Sequence, residues 1–389
     1  MNRIEATYQI TTPMFIGDAM QEASGISPAS VKGALRFWWR ALHWGWVRNG
    51  KQDDAGAFKE LHVAESQLFG SAADKGVGQG QFLLRVAVEK SQRGKPLNSG
   101  TGMQYLAGIG LFHFRDGFTR DSIQSGKFTI HIVLKPSITL VQKKQLLDAL
   151  KAFGLLGGLG ARARRGLGSV SISGLIVDGD RQPVPQDIAE FKSEIARLLE
   201  GGAATRPPFS GMSAESRIDI SQSGNNAHKL LESAGSEMQL YRSFGRHGKV
   251  NGRQSERNFV DDHDDVLRVG EGKRMSSLPK RSVFGLPHNY FFSSSGNFKV
   301  DIAPDGNGRG RRASPLMLHV HEFPNGGGAI LVQSVLRAKF LPNREPVYFK
   351  ASRRGSFNLG FKDDQIDWDV LTNYLDRFVD RQTITGVGL

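Results

Sequence analysis

The chain opens on a segment in which hydrophobic and polar residues alternate. Across residues 3–11 the apolar side chains recur at every second position, a period that predicts a β-strand with one buried face. Similar apolar runs predict three further strands in the first half of the chain, at 81–88, 127–135 and 168–177. These four segments are expected to form one sheet.

Helical spacing separates the predicted strands. Ser27 followed by Pro28 is a typical helix start, because serine caps the first N–H groups and proline fits the first helical position. This helix is predicted to reach about Val47. A second helix is predicted over 141–153, where four apolar residues fall on one side, and a short third helix over 187–199. The order of elements is β-α-β-β-α-β, with insertions after the first helix and between the middle strands.

That order is typical of the ferredoxin-like (RRM-like) fold, an α+β architecture with both helices on one face of an antiparallel sheet. A Gly/Pro/Ser-rich stretch at 201–216, GGAATRPPFSGMSAES, predicts a linker. The linker divides the chain into an N-terminal domain at 1–200 and a C-terminal domain at 217–389. We interpret the whole as tandem ferredoxin-like domains with insertions.

The second half has a sparser pattern. Strands are predicted at 217–221, 315–323 and 329–340, and an apolar stripe predicts a helix at 366–380. Residues 242–313 are polar and rich in glycine, and they are too many for an ordinary connection. This segment is expected to be either functional or mobile, and the order of elements in the second domain stays open.

Charge adds a class of partner to this picture. The 389 residues include 51 Lys and Arg against 38 Asp and Glu, a formal net charge of +13. That excess favours a polyanion, because basic side chains that meet phosphates release condensed counterions. The chain has no cysteine, which excludes disulfides, thiolate zinc sites and cysteine nucleophiles. Without a signal-peptide pattern or an apolar run of roughly 18 residues, a soluble cytoplasmic protein is expected.

The predicted helix at 27–47 carries two stripes. Its apolar stripe includes Val31, Leu35 and Trp38, and four of the five tryptophans of the chain lie in this helix, more than one stripe can bury. At least one tryptophan is expected to stack on a base or to contact another subunit. The other stripe is basic and would follow a sugar-phosphate backbone; it consists of Lys32, Arg36 and Arg40. A solvated face beside a Trp-rich core is the alternative.

The segment 154–170, GLLGGLGARARRGLGSV, combines glycines and arginines between a predicted helix and the last strand of the first domain. Glycine permits positive φ and the close approach of a foreign backbone, and arginine forks bind phosphate. The loop therefore predicts a nucleic-acid site at Gly157, Gly158, Gly160, Arg162, Arg164, Arg165, Gly166 and Gly168. A glycine-rich connection with incidental arginines is the alternative.

Four segments together resemble the RAMP superfamily: TTPMFIGDA (11–19), ISPASVKGALRFWWRAL (26–42), LFG (68–70) and GGLGARARRGLGSV (157–170). Within that superfamily, KGALRFWWRAL looks like a helix of the first subunit of the Cmr (type III-B CRISPR) effector complex. FGLPHNYFF at 284–292 is similar to a segment in the second half of the same subunit. The likeness is dense over the first 175 residues and patchy beyond them.

The resemblance implies tandem ferredoxin-like domains and a place at one end of a guide-RNA–protein assembly, beside other Cmr subunits. It further implies contact with the 3′ region of the CRISPR guide RNA or with captured single-stranded target RNA, in antiviral defence. Target cleavage in that family is assigned to other subunits, so no catalytic residue, cofactor or metal is expected here. The motif match assigns RNA contact to the basic stripe and to the loop at 157–168.

Two further motifs give weaker signals. VDDHDDVLRV at 260–269 brings together the hard metal ligands of the run Asp261–Asp265, but a solvated acidic loop, or one paired with nearby arginines, is the favoured interpretation. GVGQGQ at 76–81 lacks the strand-to-helix context of a dinucleotide fingerprint, so a flexible loop is predicted. Basic segments that would clamp RNA, dock on a subunit or simply be solvated occur at 242–257, 308–312 and 352–354.

Three functions stay open at this point. The leading one is a non-catalytic RNA-binding subunit of a type III-B interference complex. A metal-independent guide-processing endoribonuclease would need a general base beside a cation, and His43 is the histidine nearest to the basic stripe. A purely structural cap would contact protein alone.

Overall fold

The structure of the protein is a computed structural model that describes residues 2–18, 20, 22–49, 51, 53–71, 78–89, 91–96, 99–201, 205–243, 248–293, 295–341, 346–352, 355–360 and 363–384. The α-helices of these ranges are α1 (Pro28–Arg48), α2 (Asp54–Phe69), α3 (Thr101–Ala107), α4 (Leu140–Leu156), α5 (Ile188–Leu199), α6 (Ala227–Tyr241), α7 (Val260–Gly270) and α8 (Asp369–Asp376). Short 3-10 helices lie at Lys280–Phe284, Pro324–Gly326 and Asp363–Gln365.

The strands in the first half are β1 (Arg3–Ile10), β2 (Phe82–Val88), β3 (Gln92–Gly94), β4 (Phe112–His113), β5 (Gly117–Phe118), β6 (Ser122–Leu134), β7 (Val170–Val177) and β8 (Asp180–Gln182). Those in the second half are β9 (Arg217–Gly224), β10 (Lys249–Val250), β11 (Arg253–Gln254), β12 (His288–Phe292), β13 (Phe298–Ala303), β14 (Leu316–Glu322), β15 (Ala329–Val335), β16 (Val347–Ala351), β17 (Gly355–Leu359) and β18 (Gln382–Ile384).

The first sheet has the strand order β2-β6-β1-β7-β8, with β3 also paired to β6. Its pairings are antiparallel, and Ile4 of β1 lies between Ile132 of β6 and Val177 of β7. With α1 after the first strand and α4 after the third, this is the ferredoxin-like arrangement, so the predicted fold of the first half is confirmed. The predicted start of α1 is also confirmed, because Ser27 Oγ accepts the N–H of Ser30 at 3.1 Å.

The second half repeats the same arrangement. Its main sheet has the order β14-β15-β9-β18, in which the first and fourth strands of the unit are neighbours and the second lies at the far edge. Helices α6 and α8 follow the first and third strands. The tandem ferredoxin-like fold is therefore confirmed, and the structure supplies the element order that the sequence left open.

The segment at 242–313 is more regular than its composition indicated. Helix α7 and strands β12 and β13 form within it, and these strands continue into β16 and β17 to give an inserted sheet in the order β12-β13-β16-β17. In sequence, β14 and β15 of the main sheet separate the two halves of the inserted sheet. Strands β12 and β13 precede them, and β16 and β17 follow them. Local patterning does not reveal a sheet assembled in this way.

The two units pack directly against each other along β14. Thr11 Oγ1 donates to the carbonyl of Val320 at 2.8 Å, and the N–H of Glu322 donates to Ser171 Oγ at 2.8 Å. Strands β14 and β15 are buried almost throughout. The segment at 205–216 is hydrogen-bonded to α1 of the first unit, since the N–H of Met212 donates to the carbonyl of Ala41 at 3.0 Å. The division of the chain at 201–216 stays a prediction. No helix of the described ranges is long and apolar enough to span a bilayer.

Two buried histidines lie where the units meet. Nδ1 of His319 is 2.8 Å from the carbonyl oxygen of Gly157, and Nδ1 of His321 is 3.2 Å from that of Gly154. A carbonyl oxygen only accepts, so Nδ1 carries the proton in both rings. Burial lowers the pKa of His319 to about 3, helped by the nearby His321, and burial lowers the pKa of His321 to about 4. Both rings are neutral at pH 7.

These histidines make the stability of the protein depend on pH. Since the unfolded chain titrates near pH 6.5 and the folded histidines only near pH 3 to 4, the unfolded state binds more protons in between. The free energy of unfolding is expected to fall as the pH drops from 6.5 to 4, by about 1.4 kcal/mol per pH unit for each histidine. Urea unfolding from pH 7 to 5 measures this slope.

His319→Asn keeps an N–H donor for Gly157 and removes the titrating ring, so its slope should be flatter than that of the wild type. His62→Asn, at an exposed position of α2, is the matched control. Equal slopes in the wild type and both variants would contradict the assignment.

Candidate nucleic-acid interface

The glycine-arginine loop, residues 157–169, lies at the seam between the two units. It leaves α4, and Leu159 donates its N–H to the carbonyl of Gly168 at 2.9 Å before the chain enters β7. Its middle reaches across the seam, where the N–H of Leu318 in β14 donates to the carbonyl of Arg164 at 2.9 Å. The loop is therefore held on both sides by backbone hydrogen bonds.

Internal packing explains why glycine occupies these positions. Gly168 has φ +71°, and a Cβ there would lie 2.1 Å from the carbonyl oxygen of Leu159. A Cβ on Gly160, at φ +87°, would lie 2.5 Å from the carbonyl oxygen of Phe15. The protein's own atoms fill the Cβ space in the same way at Gly157, Gly158 and Gly166. The close backbone approach predicted for a ligand is thus made by the chain itself, and RNA contact at these glycines stays a prediction.

The three arginines of the loop are anchored to uncharged groups. Arg162 is exposed, and it donates from Nε to the carbonyl of Ala107 at 3.0 Å and from Nη2 to that of Ile109 at 3.1 Å. Arg165 Nη1 donates to the carbonyl of Leu106 at 3.2 Å. These contacts bind the loop to the turn after α3 without neutralising either guanidinium group.

Arg164 is held in a comparable way on the other side of the seam. Its Nη1 donates to the carbonyl of Ser314 at 3.0 Å and to Ser210 Oγ at 3.2 Å. The guanidinium carbon also lies 5.0 Å from the ring centroid of Phe37 in α1, a cation–π distance. Contacts from three different segments thus hold the Arg164 guanidinium, and none of these partners carries a negative charge.

The electrostatics of the loop follow from this lack of carboxylates. Burial lowers the pKa of Arg164 to about 10, with a smaller effect from Arg312. Burial also lowers the pKa of Arg165 to about 10, with smaller effects from Arg242 and Arg162. Within the described ranges, none of the three loop arginines forms an ion pair. Since buried cations are normally paired with anions, the seam is a concentrated positive site.

Sequence reasoning did not connect Arg242 and Arg312 with this loop. In the sequence both belong to basic segments of the second half. No spacing rule relates them to Arg164 or Arg165, because the packing of one unit on the other creates the proximity. Their charge adds to the positive potential at the seam.

The basic stripe of α1 meets a helix that the sequence did not predict. Helix α2 places Glu65, with a side chain only 7% exposed, between two of the cations. Glu65 Oε1 is 2.8 Å from Nε of Arg36 and 3.2 Å from Nη1 of Arg40. Arg36 Nη2 also donates to the carbonyl of Gly70 at 2.8 Å. Glu65 therefore compensates part of the charge of Arg36 and Arg40, and RNA contact by the stripe stays a prediction.

Lys32 differs from its two neighbours in the stripe. It forms no ion pair within the described part of the chain, and its ammonium lies 5.7 Å from the ring centroid of Phe82. Burial, and to a smaller extent the charge of Arg36, lower its pKa. Lys32 is thus the residue of the stripe whose charge stays available to a phosphate.

The tryptophans of α1 are not all buried, as expected from four such side chains in one helix. Trp38, Trp39 and Trp44 are buried, whereas the side chain of Trp46 is 59% exposed. The ring of Trp46 is therefore accessible, and contact of a tryptophan with a base or a subunit stays a prediction.

His43 follows Arg40 by three residues in α1, and it packs against Trp39. Its Nδ1 is 2.7 Å from the carbonyl of Trp39, and its ring stacks on the Trp39 ring at 4.9 Å between centroids. Burial lowers its pKa. The contacts of His43 are those of a packed core side chain.

The acidic run at 261–265 belongs to helix α7, so the predicted loop is wrong. Asp262 is buried, and its carboxylate accepts the N–H groups of Lys280 and Arg281, both at 2.7 Å. Burial raises the pKa of this carboxyl, and the two hydrogen bonds oppose the rise. In the residues that the structure describes, no group of three or more side chains is arranged to hold a metal ion. Some residues of the predicted loop and basic segments lie outside the described residues, namely Gly76, Arg246, His247 and the arginines at 353–354.

Comparison with known proteins agrees with this geometry. The model of the RAMP superfamily matches residues 7–171. The chain is 28% identical over 201 residues to CRISPR system Cmr subunit Cmr1-1 of Pyrococcus furiosus, covering 49% of this chain and 54% of that protein. It is 29% identical over 179 residues to subunit Cmr1-2 of the same organism, covering 41% and 90%. The chain thus matches about half the length of Cmr1-1.

Solved structures extend the likeness in fold to the second half. The crystal structure of apo Cmr1 from Pyrococcus furiosus superposes with a TM-score of 0.59 at 18% identity, over 100% of both chains. A chain in the cryo-EM structure of the type III-B Cmr-beta complex bound to cognate target RNA superposes with a TM-score of 0.52 at 14% identity, over 97% and 99%. Residues 7–171 thus match the RAMP superfamily, about half of the chain is similar to the Cmr1 subunits of Pyrococcus furiosus, and the whole chain is similar to Cmr1 in fold.

Proposed function

We propose that the protein is a non-catalytic RNA-binding subunit of a type III-B CRISPR ribonucleoprotein complex. It contacts the 3′ region of the guide RNA, the captured target RNA, or both, through the glycine-arginine loop, and it assembles with other Cmr subunits. The similarity to a chain from a Cmr complex bound to target RNA supports this assignment.

One observation carries the proposal. Arg162 and Arg165 lie on one side of the seam and Arg164 on the other, and within the described ranges they contact carbonyls, a hydroxyl and a ring but no carboxylate. A buried guanidinium without an anion is unfavourable, and a phosphate would supply the missing charge. Phosphate contacts carry little sequence information, so the site suits a subunit that binds RNA of varied sequence.

Binding of single-stranded RNA across a range of salt concentrations tests the proposal. Log affinity should fall linearly with log salt, and the slope of Arg162→Gln should be smaller by about 0.7 for one lost phosphate contact. The matched control is Arg253→Gln, since Arg253 is also exposed but pairs with Glu237 at 3.0 Å. The same RNA should stay intact with and without Mg²⁺.

Three outcomes contradict the proposal in different ways. Unchanged salt slopes for both Arg162→Gln and Arg165→Gln would remove the loop from the RNA site. Clean cleavage that His43→Ala abolishes would identify an endoribonuclease. No RNA binding, alone or with other Cmr subunits, would leave a structural cap.

A further inference from the structure

The inserted sheet, β12-β13-β16-β17, has one covered face and one open face. Its covered face is apolar and includes Phe292, Phe298, Val300 and Phe349, all buried. Helix α7 closes this side, where the ring of Phe298 lies against Gly270. The sheet therefore stands as a small layer of its own, with its other face turned to solvent.

An exposed phenylalanine marks the open face. Phe291 of β12 is 59% exposed, and the register places it directly opposite Lys299 of β13. Lys350 of β16 lies opposite Asp301, two residues further along β13. Residues directly opposite in an antiparallel pair share a face, so Phe291 and both lysines lie on the same side of the sheet.

The charges of this face are mostly uncompensated. Lys299 and Lys350 are exposed, and neither forms an ion pair among the described residues. The carboxylate of Asp301 accepts a hydrogen bond from Asn289 Nδ2 at 2.5 Å, so its partner is a neutral amide. Two cations against one carboxylate surround the exposed ring.

A basic loop adjoins the same face. A Cβ at Gly308 would lie 2.8 Å from the ring of Tyr348, which stands on the open side of β16. The loop after β13 therefore passes over this ring, and its next residues include Arg309 and Arg311, both exposed. The segment that the sequence marked only as basic thus extends the positive surface of the sheet.

We infer that the open face of the inserted sheet is a second platform for single-stranded RNA. Phe291 stacks on an unpaired base, while Lys299 and Lys350 contact the flanking phosphates. Aromatic rings on an open sheet face, surrounded by cations, are a general means of binding single strands. The inference goes beyond the proposed function, because none of these residues belongs to the glycine-arginine loop.

The test uses a full chain that carries Arg162→Gln and Arg165→Gln, so that the loop contributes less to RNA binding. In this background Phe291→Ala is expected to weaken single-stranded RNA binding by about 5- to 150-fold at every salt concentration, since stacking is not ionic. Lys299→Gln with Lys350→Gln is expected instead to reduce the salt slope by about 1.4, from two lost phosphate contacts. Fluorescence anisotropy with a labelled oligoribonucleotide measures both effects.

Phe58→Ala removes a comparably exposed phenylalanine from α2 and should leave RNA binding unchanged. Since Phe291 and the two lysines are exposed, their variants should also melt at the wild-type temperature. The inference would be overturned if the Phe291 and lysine variants bind RNA as well as the background chain does. It would also be overturned if these variants lose association with other Cmr subunits instead of RNA binding. The loop substitutions are scored separately in the chain with an unaltered inserted sheet, so failure of one site does not hide the other.

Discussion

Gly168→Ala is expected to lower the free energy of unfolding by about 2–5 kcal/mol, from a left-handed backbone that disfavours a side chain and from overpacking. The added methyl group would lie 2.1 Å from the carbonyl oxygen of Leu159, which is backbone and cannot rotate away. To relieve the contact, the loop would have to shift, and Arg164 and Arg165 would move with it. Urea unfolding measures the loss of stability.

Gly33→Ala is the matched control for this substitution. Gly33 lies inside α1 and no atom lies within 4 Å of the position its Cβ would take. Alanine there should raise the free energy of unfolding by up to about 1 kcal/mol, because glycine is a poor helix former. The same Gly-to-Ala change is thus expected to lower the free energy of unfolding at position 168 and to raise it at position 33. Equal stabilities for the two variants would contradict the tight packing of the loop.

Glu65→Gln is expected to lower the free energy of unfolding by about 2–3 kcal/mol while strengthening RNA binding. The substitution keeps the shape of the side chain but removes the anion shared by Arg36 and Arg40. Breaking a buried ion pair costs roughly 3–5 kcal/mol, and we discount this because the two arginine side chains are 34% and 40% exposed. Both cations would then be available to phosphates, so the salt slope should steepen.

Glu60→Gln serves as the control, because Glu60 pairs with Lys51 at 2.5 Å on the surface of the same helix, where both side chains are over 40% exposed. That variant should change the free energy of unfolding by less than about 1 kcal/mol. A loss of stability in Glu65→Gln with an unchanged salt slope would mean that the α1 stripe is structural and lies away from RNA.

The elements that sequence reasoning predicted correctly depend on local signals. Helix α1 begins at Pro28 because Ser27 caps it, and α4 begins where Thr139 and Gln142 cap each other. Strand β1 is recognisable from its alternation alone. Each of these features depends on residues within one or two turns, or one strand, of each other.

The elements that sequence reasoning missed depend on partners far along the chain. Strands β12 and β13 lie in a segment whose sequence pattern is irregular. They form one sheet with β16 and β17, which follow strands β14 and β15 of the main sheet in the sequence. The strand predicted at 329–340 ends at Val335, after which the chain leaves the sheet. Helix α2, whose Glu65 pairs with Arg36 and Arg40, lies in the insertion after α1, where the sequence pattern predicts no helix.

Residue pattern and composition are enough to predict a ferredoxin-like first unit, a strong positive charge and a loop in which glycines flank three arginines. Which of the cations are neutralised depends on the three-dimensional fold. Glu65 reaches Arg36 and Arg40, whereas the loop arginines meet carbonyls at a seam between two units. The physical reason is that ion pairing depends on distance through space and on burial, and folding sets both by bringing together residues that are far apart in the chain.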